Sequence, residues 1–520
     1  MSSLYKSKTW AIFAFSLFFV IQSLAQPFSN SWVNLNQTYR KIKIGKEGVY
    51  KIDFQKIVNG GFPSTIDPRN IQLFCKGVEV PLYAEGQSDG VLDPSDFFLF
   101  HGTSNDGWLD STLYVPRTSQ PQSFVSLYTD TSVYFLTVGN QPGLRFQDFD
   151  GSNTVGNPEL FYNHTVTRVD TNAYYLGVPY FSNYFSEMGE GEGWMGQRVQ
   201  VINNPTAAPV RQDVNFNFSF LTPFKSTQAV PCTLDLQFYG VSNADVSNVP
   251  SGYNHHIQVK QGTTVLLDTL FYGLTRVKKR LLFPTLVNNP TFTLTIVDDQ
   301  NLAVDAIAFS YAQLTYPRTF ELSDTTQRRF TFEGTSASPY LRFSPFKNAA
   351  LASPMLFDLQ QRYAIRGSVV GNSFNTMLPG SGPAFQYFLF DYFSHPELID
   401  SLWPVRMVNH QTPVNPQYIM IFHPSLQNAT IAHATYRSSV QGGGYRVALV
   451  NILDLYDQFS FGIQHPLAIR NYIQYLFGIQ SQAPQFLLLV GKGYVSDFVR
   501  KRRGSITAQN NLIPTMGNPA

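Results

Sequence analysis

The pattern of apolar residues changes at about residue 416, and this change limits the folds that the chain can adopt. Three apolar runs of strand length follow it, at Tyr418–Phe422, 445–450 and Phe486–Val490. Helical stretches at about 426–440 and 465–479 separate them, the first ended by three consecutive glycines. Strands that alternate with helices predict a parallel sheet with right-handed crossovers. We therefore expect residues 413–520 to form the first half of an α/β domain, with its third strand buried on both faces.

The sequence before residue 413 predicts β structure instead. Charged residues make up only 14% of the chain, aromatic residues 15%, and 36 Gly and 32 Pro punctuate it, which favours strands joined by turns. We expect a β-rich domain over 26–205, a β-sandwich over 206–322 and a β-rich linking segment over 323–412. At the start, Tyr39–Ile44, a turn at 45–48 and a second run at 49–52 read as a hairpin.

The N-terminus reads as an export signal. Lys6 and Lys8 precede an apolar run of about a dozen residues, too short for a membrane-spanning helix, and small residues follow at Ser23 and Ala25. We expect a signal peptide over 1–25, an exported mature chain and no membrane span in it. Loss of that segment removes two of the 37 basic residues and leaves them equal in number to the 35 acidic ones. This balance argues against nucleic acid as a partner.

The two cysteines, Cys75 and Cys232, predict no disulfide framework and no zinc site. We interpret both as buried thiols. Cys75 and His101 could in principle form a nucleophile pair, but nothing in the sequence places them together. His255 and His256 would face opposite sides of a strand and could not share a metal.

Other candidate groups each have an ordinary structural explanation. The carboxylates of Asp89, Asp93 and Asp96 could hold Ca²⁺, but their spacing differs from an EF-hand and fits turns. Glu187, Glu190 and Glu192 suggest a mobile exposed loop, and residues 500–503 a solvated basic loop.

Gly491, Lys492 and Gly493 follow the third apolar strand, where open α/β sheets place ligands. Ser496 takes the third glycine position of a dinucleotide fingerprint, and Phe486 takes the first of a P-loop. A tight turn is the simpler interpretation. Taken alone, the residues therefore assign no catalytic, cofactor-binding or metal-binding position, and no cofactor.

Residues 418–515 resemble the opening of the gingipain-type cysteine peptidase domain. The resemblance is carried by YIMIFHPSL at 418, GYRVALVNILDLYDQFSFGIQHPLAIRNYIQYL at 444, PQFLLLVGKG at 484 and NLIPT at 511. Upstream, GVYKI at 48, DGVLDPSDFFLFHG at 89, GEGWMGQ at 191 and DAIAFSYAQLTYPR at 305 are similar to the N-terminal region of type IX secretion system sortases. Lys492 stands where the family usually has Asp.

The resemblance implies a caspase-like α/β domain in which a Cys thiolate attacks a peptide carbonyl and a His handles the proton. It also implies an exported endopeptidase or transpeptidase that acts on secreted proteins at the cell surface or outer membrane. Secreted protein substrates and other surface secretion components would be its partners. The family's His and Cys motifs do not occur after Gly491, so we expect the given chain to be truncated before them and inactive alone. The alternative is a non-catalytic cell-surface module whose β-sandwich binds a partner or takes part in assembly.

Overall fold

The fold is described from a computed structural model of the 520-residue chain. The structure describes residues 28, 30–177, 188–203, 212–247, 249–300, 302–333, 338–346, 353–380, 385–393, 396–494 and 510–515. The predicted signal peptide lies outside these residues.

The described residues divide into two compact units. We call the first the α/β unit; it contains the described residues up to Asn36 together with Arg406–Lys492. We call the second the β unit; it contains Gln37–Val405 together with the described residues from Gly493 onward. The predicted domain boundaries within the β region remain predictions.

Antiparallel strands dominate the β unit. In chain order they are β1 Tyr39–Ile44, β2 Gly48–Asp53, β3 Ile71–Cys75, β4 Val78–Val80, β5 Tyr83–Glu85, β6 Phe97–Gly102, β7 Ser132–Val138, β8 Gln147–Asp150, β9 Tyr162–Val169, β10 Ala173–Leu176, β11 Glu192–Met195, β12 Arg198–Ile202, β13 Val214–Ser219, β14 Cys232–Gly240, β15 His255–Gln261, β16 Thr264–Phe271, β17 Arg276–Phe283, β18 Thr291–Ile296, β19 Val304–Arg318, β20 Arg328–Phe332, β21 Tyr340–Phe343, β22 Pro354–Asp358, β23 Tyr363–Arg366, β24 Ser368–Val370, β25 Ser373–Met377, β26 Phe385–Asp391, β27 Glu397–Leu398 and β28 Trp403–Pro404. The unit also has one short helix, α1 Phe54–Asn59.

The first two strands do not form the predicted hairpin. β1 pairs with β7 and β28, whereas β2 pairs with β6 and β27. The turn at 45–48 therefore carries the chain from one sheet to the other, and the two sheets bury Ile42 and Ile52 in a shared core. The alternating pattern identified the strands correctly. Their partners lie far away in sequence, so the pattern could not identify them.

The predicted β-sandwich is confirmed. One sheet has the order β12-β19-β14-β17, with β9 also paired to β19, and the other has the order β13-β18-β15-β16. Leu236 and Phe238 from the first sheet pack with Phe218 and Leu294 from the second, and all four are fully buried or nearly so. Strands β9 and β12 of this sandwich precede residue 206.

A further five-stranded sheet follows, with the order β20-β26-β22-β23-β8, together with a three-stranded sheet of order β21-β25-β24. Their phenylalanines, including Phe330, Phe343 and Phe374, form one core. The neighbouring strands β23 and β24 belong to different sheets of this pair.

The α/β unit contains the predicted parallel sheet. Its strands are β29 Tyr418–Phe422, β30 Val447–Asn451 and β31 Phe486–Val490, in the order β30-β29-β31 with every pairing parallel. Helices α2 Gln427–Ser438 and α4 Leu467–Ile479 occupy the predicted helical stretches. An additional helix, α3 Ile452–Phe459, begins directly after β30, because the Asn451 side chain accepts a hydrogen bond from the amide of Leu453.

The prediction that β31 is buried on both faces is wrong. Phe486 is 43% exposed, Leu487 45% and Leu489 41%, whereas Ile419 and Ile421 of the central strand are fully buried. β31 is an edge strand that pairs only with β29 among the described residues. Its uninterrupted apolar sequence resembles that of a covered strand, but no described element covers it fully.

Two segments outside the strand–helix pattern complete the α/β unit. Phe28 packs on Phe459 at 5.6 Å between ring centroids, and Trp32 packs on Phe461 at 6.2 Å. The fully buried Gln458 holds residues 408–410 by bonding both the amide and the carbonyl of Val408. The N-terminal segment is thus part of the core of this unit.

Candidate functional site

The candidate site is the carboxyl edge of the parallel sheet, where β29, β30 and β31 all end. His423 directly follows β29, Asn451 is the last residue of β30, and Gly491 directly follows β31. Because the strands are parallel, their carboxyl ends meet at one edge, which is where open α/β sheets bind ligands. His423 places a titratable side chain at this edge, directly after the central strand.

The imidazole of His423 is held by its own turn. Its Nδ1 lies 2.8 Å from the hydroxyl oxygen of Ser425 and also accepts a hydrogen bond from the Ser425 amide at 3.3 Å. The amide of His423 reaches the carbonyl of Val490 at the end of β31. Partial burial lowers the pKa of His423 below its usual value, which favours the neutral imidazole. A neutral, oriented imidazole at a sheet edge can accept or relay a proton.

The turn after β31 needs its glycines. Gly491 has a φ of 152°, in the region that favours glycine. Gly493, which belongs to the β unit, lies so close to the Pro-Thr element that a Cβ there would meet the Thr515 Cγ2 atom at 2.3 Å. The Thr515 hydroxyl also donates a hydrogen bond to the carbonyl of Tyr494 at 2.7 Å. These contacts agree with the interpretation of Gly491–Gly493 as a structural turn.

The two other histidines of the segment 418–515 differ from His423. His465 is fully buried, and its Nδ1 accepts a hydrogen bond from the amide of Leu467 at the start of α4. His433 lies on α2 with its ring near Tyr436. His423 was not singled out as a site residue from the sequence. The available signal was a histidine placed directly after a buried parallel strand.

Both cysteines belong to strands of the β unit, so neither is part of the α/β unit that contains this edge. Cys75 is in β3, and burial raises the pKa of its thiol to about 11. Cys232 is in the sandwich strand β14, and burial raises its pKa as well. Thiols with raised pKa values are poor nucleophiles at neutral pH. The interpretation as a buried thiol agrees with the structure for Cys232, whereas Cys75 is half-buried, and the raised pKa values disfavour the thiolate of both.

His101 does not pair with Cys75. Its Nε2 lies 3.0 Å from Glu47, and its ring stacks on Phe388 at 4.7 Å. His255 and His256 face opposite sides of β15, as predicted. His255 is buried with its Nδ1 2.5 Å from Asp305, whereas His256 lies on the other face between Asp268 and Asp299.

Two of the three aspartates of the 89–96 loop stabilise turns through their side chains. Asp89 accepts a hydrogen bond from the amide of Val91, and the buried Asp96 accepts one from the amide of Asp93. Within the described residues, no group of three His, Cys, Asp or Glu side chains is arranged to hold a metal ion.

The interpretation of the 187–192 segment as an exposed loop is wrong for Glu192. Glu192 is buried in β11, its carboxylate accepts a hydrogen bond from the Tyr174 hydroxyl at 3.1 Å, and burial raises its pKa to about 7. Glu190 forms an ion pair with Arg276 at 3.3 Å. Glu187 and the basic residues 500–503 lie outside the described residues. No helix among the described residues combines the length and the apolar character that a bilayer crossing requires.

The comparisons with known proteins concern both units. Peptidase family C25 matches residues 411–520. Dimeric latent PorU from Porphyromonas gingivalis has a similar structure, with a TM-score of 0.57 and 13% identity over 91% of this chain. The match spans 43% of that protein's length. The CBM36-1 domain of a xylanase from the hindgut metagenome of Trinervitermes trinervoides superposes with a TM-score of only 0.17, at 12% identity over 29% of this chain and 95% of that one, which carries no argument. No curated protein matches significantly.

Together, the parallel sheet and the matched segment define a peptidase-type α/β domain segment that accompanies antiparallel β domains. The resemblance to the gingipain-type cysteine peptidases, predicted from residues 418–515, is thereby confirmed. The similarity to PorU shows a shared fold over most of the chain.

Proposed function

We propose that this chain provides the β domains and part of the peptidase domain of an exported, sortase-like cysteine peptidase that cleaves or transfers secreted proteins at the cell surface. The observation that carries the proposal is the family match over residues 411–520, which coincides with the parallel sheet and its His423 edge. The secretion signal proposed for residues 1–25 fits this location. Secreted proteins are the proposed substrates.

The proposed chemistry needs a thiolate and a histidine at the same edge. His423 is held there in an oriented, neutral form, but neither of the chain's two cysteines lies in the segment 411–520. We therefore infer that the 520-residue chain contributes the scaffold of the site and does not hydrolyse peptides by itself. The measurement is turnover of a library of fluorogenic peptides by the full chain and by its Cys75→Ala/Cys232→Ala variant. The inference fails if the unsubstituted chain shows turnover that the double variant lacks.

A second experiment tests whether the α/β unit serves protein processing in the cell. Ile421→Asp places a carboxylate in the fully buried centre of β29, and Val440→Asp makes the same kind of change at a residue that is 91% exposed. We expect cells with Ile421→Asp to accumulate exported proteins of unprocessed mass, detected by mass spectrometry of the surface fraction. Cells with Val440→Asp should process them normally. Normal processing in both would contradict the proposal.

The alternative, a non-catalytic surface module, is favoured by the placement of both cysteines in strands of the β unit, where their thiols have raised pKa values. It predicts that Ile421→Asp leaves the masses of exported proteins unchanged while binding by the β unit persists. The same mass measurement therefore separates the two hypotheses.

A further inference from the structure

A groove of about 820 Å³ lies within the β unit, among residues 37–405. Side chains on the faces of two sheets line it. One face belongs to β9 and β19 of the sandwich, and the other belongs to β20 and β26. Its volume is in the range of small-molecule sites, about 300–1,000 Å³.

Polar side chains at alternating positions form the sandwich side of the groove. Asn163, Thr165 and Thr167 are the exposed residues of β9, and Val166 between them packs against the sandwich core; the half-buried His164 also lines the groove. Gln313 of β19 lies opposite Thr167 and donates a hydrogen bond to its hydroxyl at 3.0 Å. This side is therefore a row of amides and hydroxyls.

The opposite side of the groove is also lined by polar side chains. Thr331 of β20 pairs with Gln386 of β26, and Arg329 pairs with Phe388. The side chains of Asn163, Gln327 and Thr331 make no hydrogen bond to another residue in the part of the chain that the structure describes. Amide and hydroxyl groups both donate and accept hydrogen bonds. This lining therefore matches a ligand whose own groups donate and accept hydrogen bonds. Sugar hydroxyls have this property.

The charges of the groove are largely neutralised within the protein. Glu47 pairs with Arg329 at 3.1 Å and lies 3.0 Å from His101, and Arg328 pairs with Asp324 at 2.8 Å. Nucleic acid would need uncompensated basic residues. A ligand recognised mainly by directional hydrogen bonds fits better.

Aromatic rings complete the lining. The half-buried Phe124 ring packs on Tyr311 at 5.1 Å and lines the groove, as does Phe388. The face of such a ring can pack against the C–H face of a sugar by dispersion. An extended peptide is less well matched, because strand addition uses the edge of a sheet and its backbone, whereas these side chains stand on strand faces.

We propose that this groove binds an oligosaccharide chain, with Asn163, Gln327 and Thr331 bonding its hydroxyls and Phe124 packing against a sugar ring. The proposal is independent of the peptidase function, because the groove lies in the β unit and the test reads binding rather than cleavage.

The experiment is isothermal titration of the full chain with maltohexaose, chitohexaose and hexamannuronate, and with a Thr- and Asn-rich hexapeptide as the competing ligand class. We expect at least one saccharide to bind with a Kd below about 1 mM. Asn163→Ala and Gln327→Ala should each weaken that binding about tenfold or more, and Thr167→Trp, which fills the groove, should abolish it.

Asn217→Ala is the matched control, because Asn217 is an exposed amide on a strand face of the other sandwich sheet, bonded to Thr293. It should leave saccharide binding unchanged. Thermal melting checks that each variant folds, and the two alanine variants keep the test valid if Thr167→Trp does not fold. The proposal is overturned if no saccharide binds, if saccharide binding survives the groove variants, or if the hexapeptide alone binds in a groove-dependent way.

Discussion

The two units bury their apolar strands to different extents. In the sandwich, Leu236 and Phe238 of β14 are completely buried between two sheets. In the α/β unit, Leu487 and Leu489 of β31 are 45% and 41% exposed, although their sequence is at least as apolar. Antiparallel sheets are often covered on one face only, but parallel sheets are normally covered on both. Among the described residues, the edge strand β31 of the α/β unit is therefore only partly covered, whereas each sheet of the sandwich is covered by the other.

The largest expected consequence concerns isolated fragments. We expect residues 37–405 to be monomeric and to melt cooperatively, and residues 413–520 to aggregate or be proteolysed. The second fragment exposes β31 and also lacks Phe28 and Trp32, which pack on Phe459 and Phe461. Sedimentation and thermal melting of both fragments provide the measurement. A monomeric, cooperatively melting 413–520 would remove the contrast between the units.

A smaller effect is expected from three leucine-to-alanine substitutions in the full chain. Leu236→Ala should cost about 2–5 kcal/mol of unfolding free energy, because it leaves a cavity in a fully buried site. Leu282→Ala, at a residue that is 70% exposed on β17, should change it by less than about 0.5 kcal/mol. Leu487→Ala should resemble Leu282→Ala, with a change of about 1 kcal/mol or less. Denaturant melts measure all three, and a large loss at Leu487 would mean that β31 is covered in solution.

The smallest expected effect is a pH dependence in each unit. Burial lowers the pKa of His410 in the α/β unit to about 4 and that of His164 in the β unit to about 3. Between the usual value near 6.5 and these values the unfolded chain binds more protons, so stability should fall as the pH drops through this window.

Matched variants assign this acid sensitivity to one unit or the other. His410→Gln should reduce the acid sensitivity of peptides from 406–492 in hydrogen-exchange experiments, and His164→Gln that of peptides from the sandwich. Acid sensitivity that persists in both variants would show that other groups control it.

The sequence predicted local structure well where one side chain pattern decides it. The apolar runs and helix signals of 418–490 gave the parallel sheet and two of its helices. Helix α3 was missed, although its N-cap, Asn451, is a recognisable signal. The exposure of β31 could not be predicted, because its apolar residues favour a buried strand but do not show which other elements pack against it.

Contacts between residues that are far apart in sequence account for the remaining differences between the prediction and the structure. β1 pairs with residues 403 and 404 near the end of the β unit, and the N-terminal residues 28 and 32 pack into the α/β unit. No local pattern encodes such a pairing. The same holds for the candidate site. His423 can be recognised as part of it only when the pairing of the three strands is known, because that pairing brings their carboxyl ends to one edge. For the groove proposed to bind an oligosaccharide, the sequence shows the alternating polar residues of β9. It does not show that β20 and β26 lie opposite them.

Hydrogen–deuterium exchange of the full chain, followed by mass spectrometry, tests the central claim most directly. If residues 411–490 are a peptidase-type layer with an uncovered third strand, the amides of Phe486–Val490 should exchange at least about tenfold faster than those of Tyr418–Phe422 and of Cys232–Gly240. Equal protection of all three strands would show a complete, self-contained domain and would contradict the account.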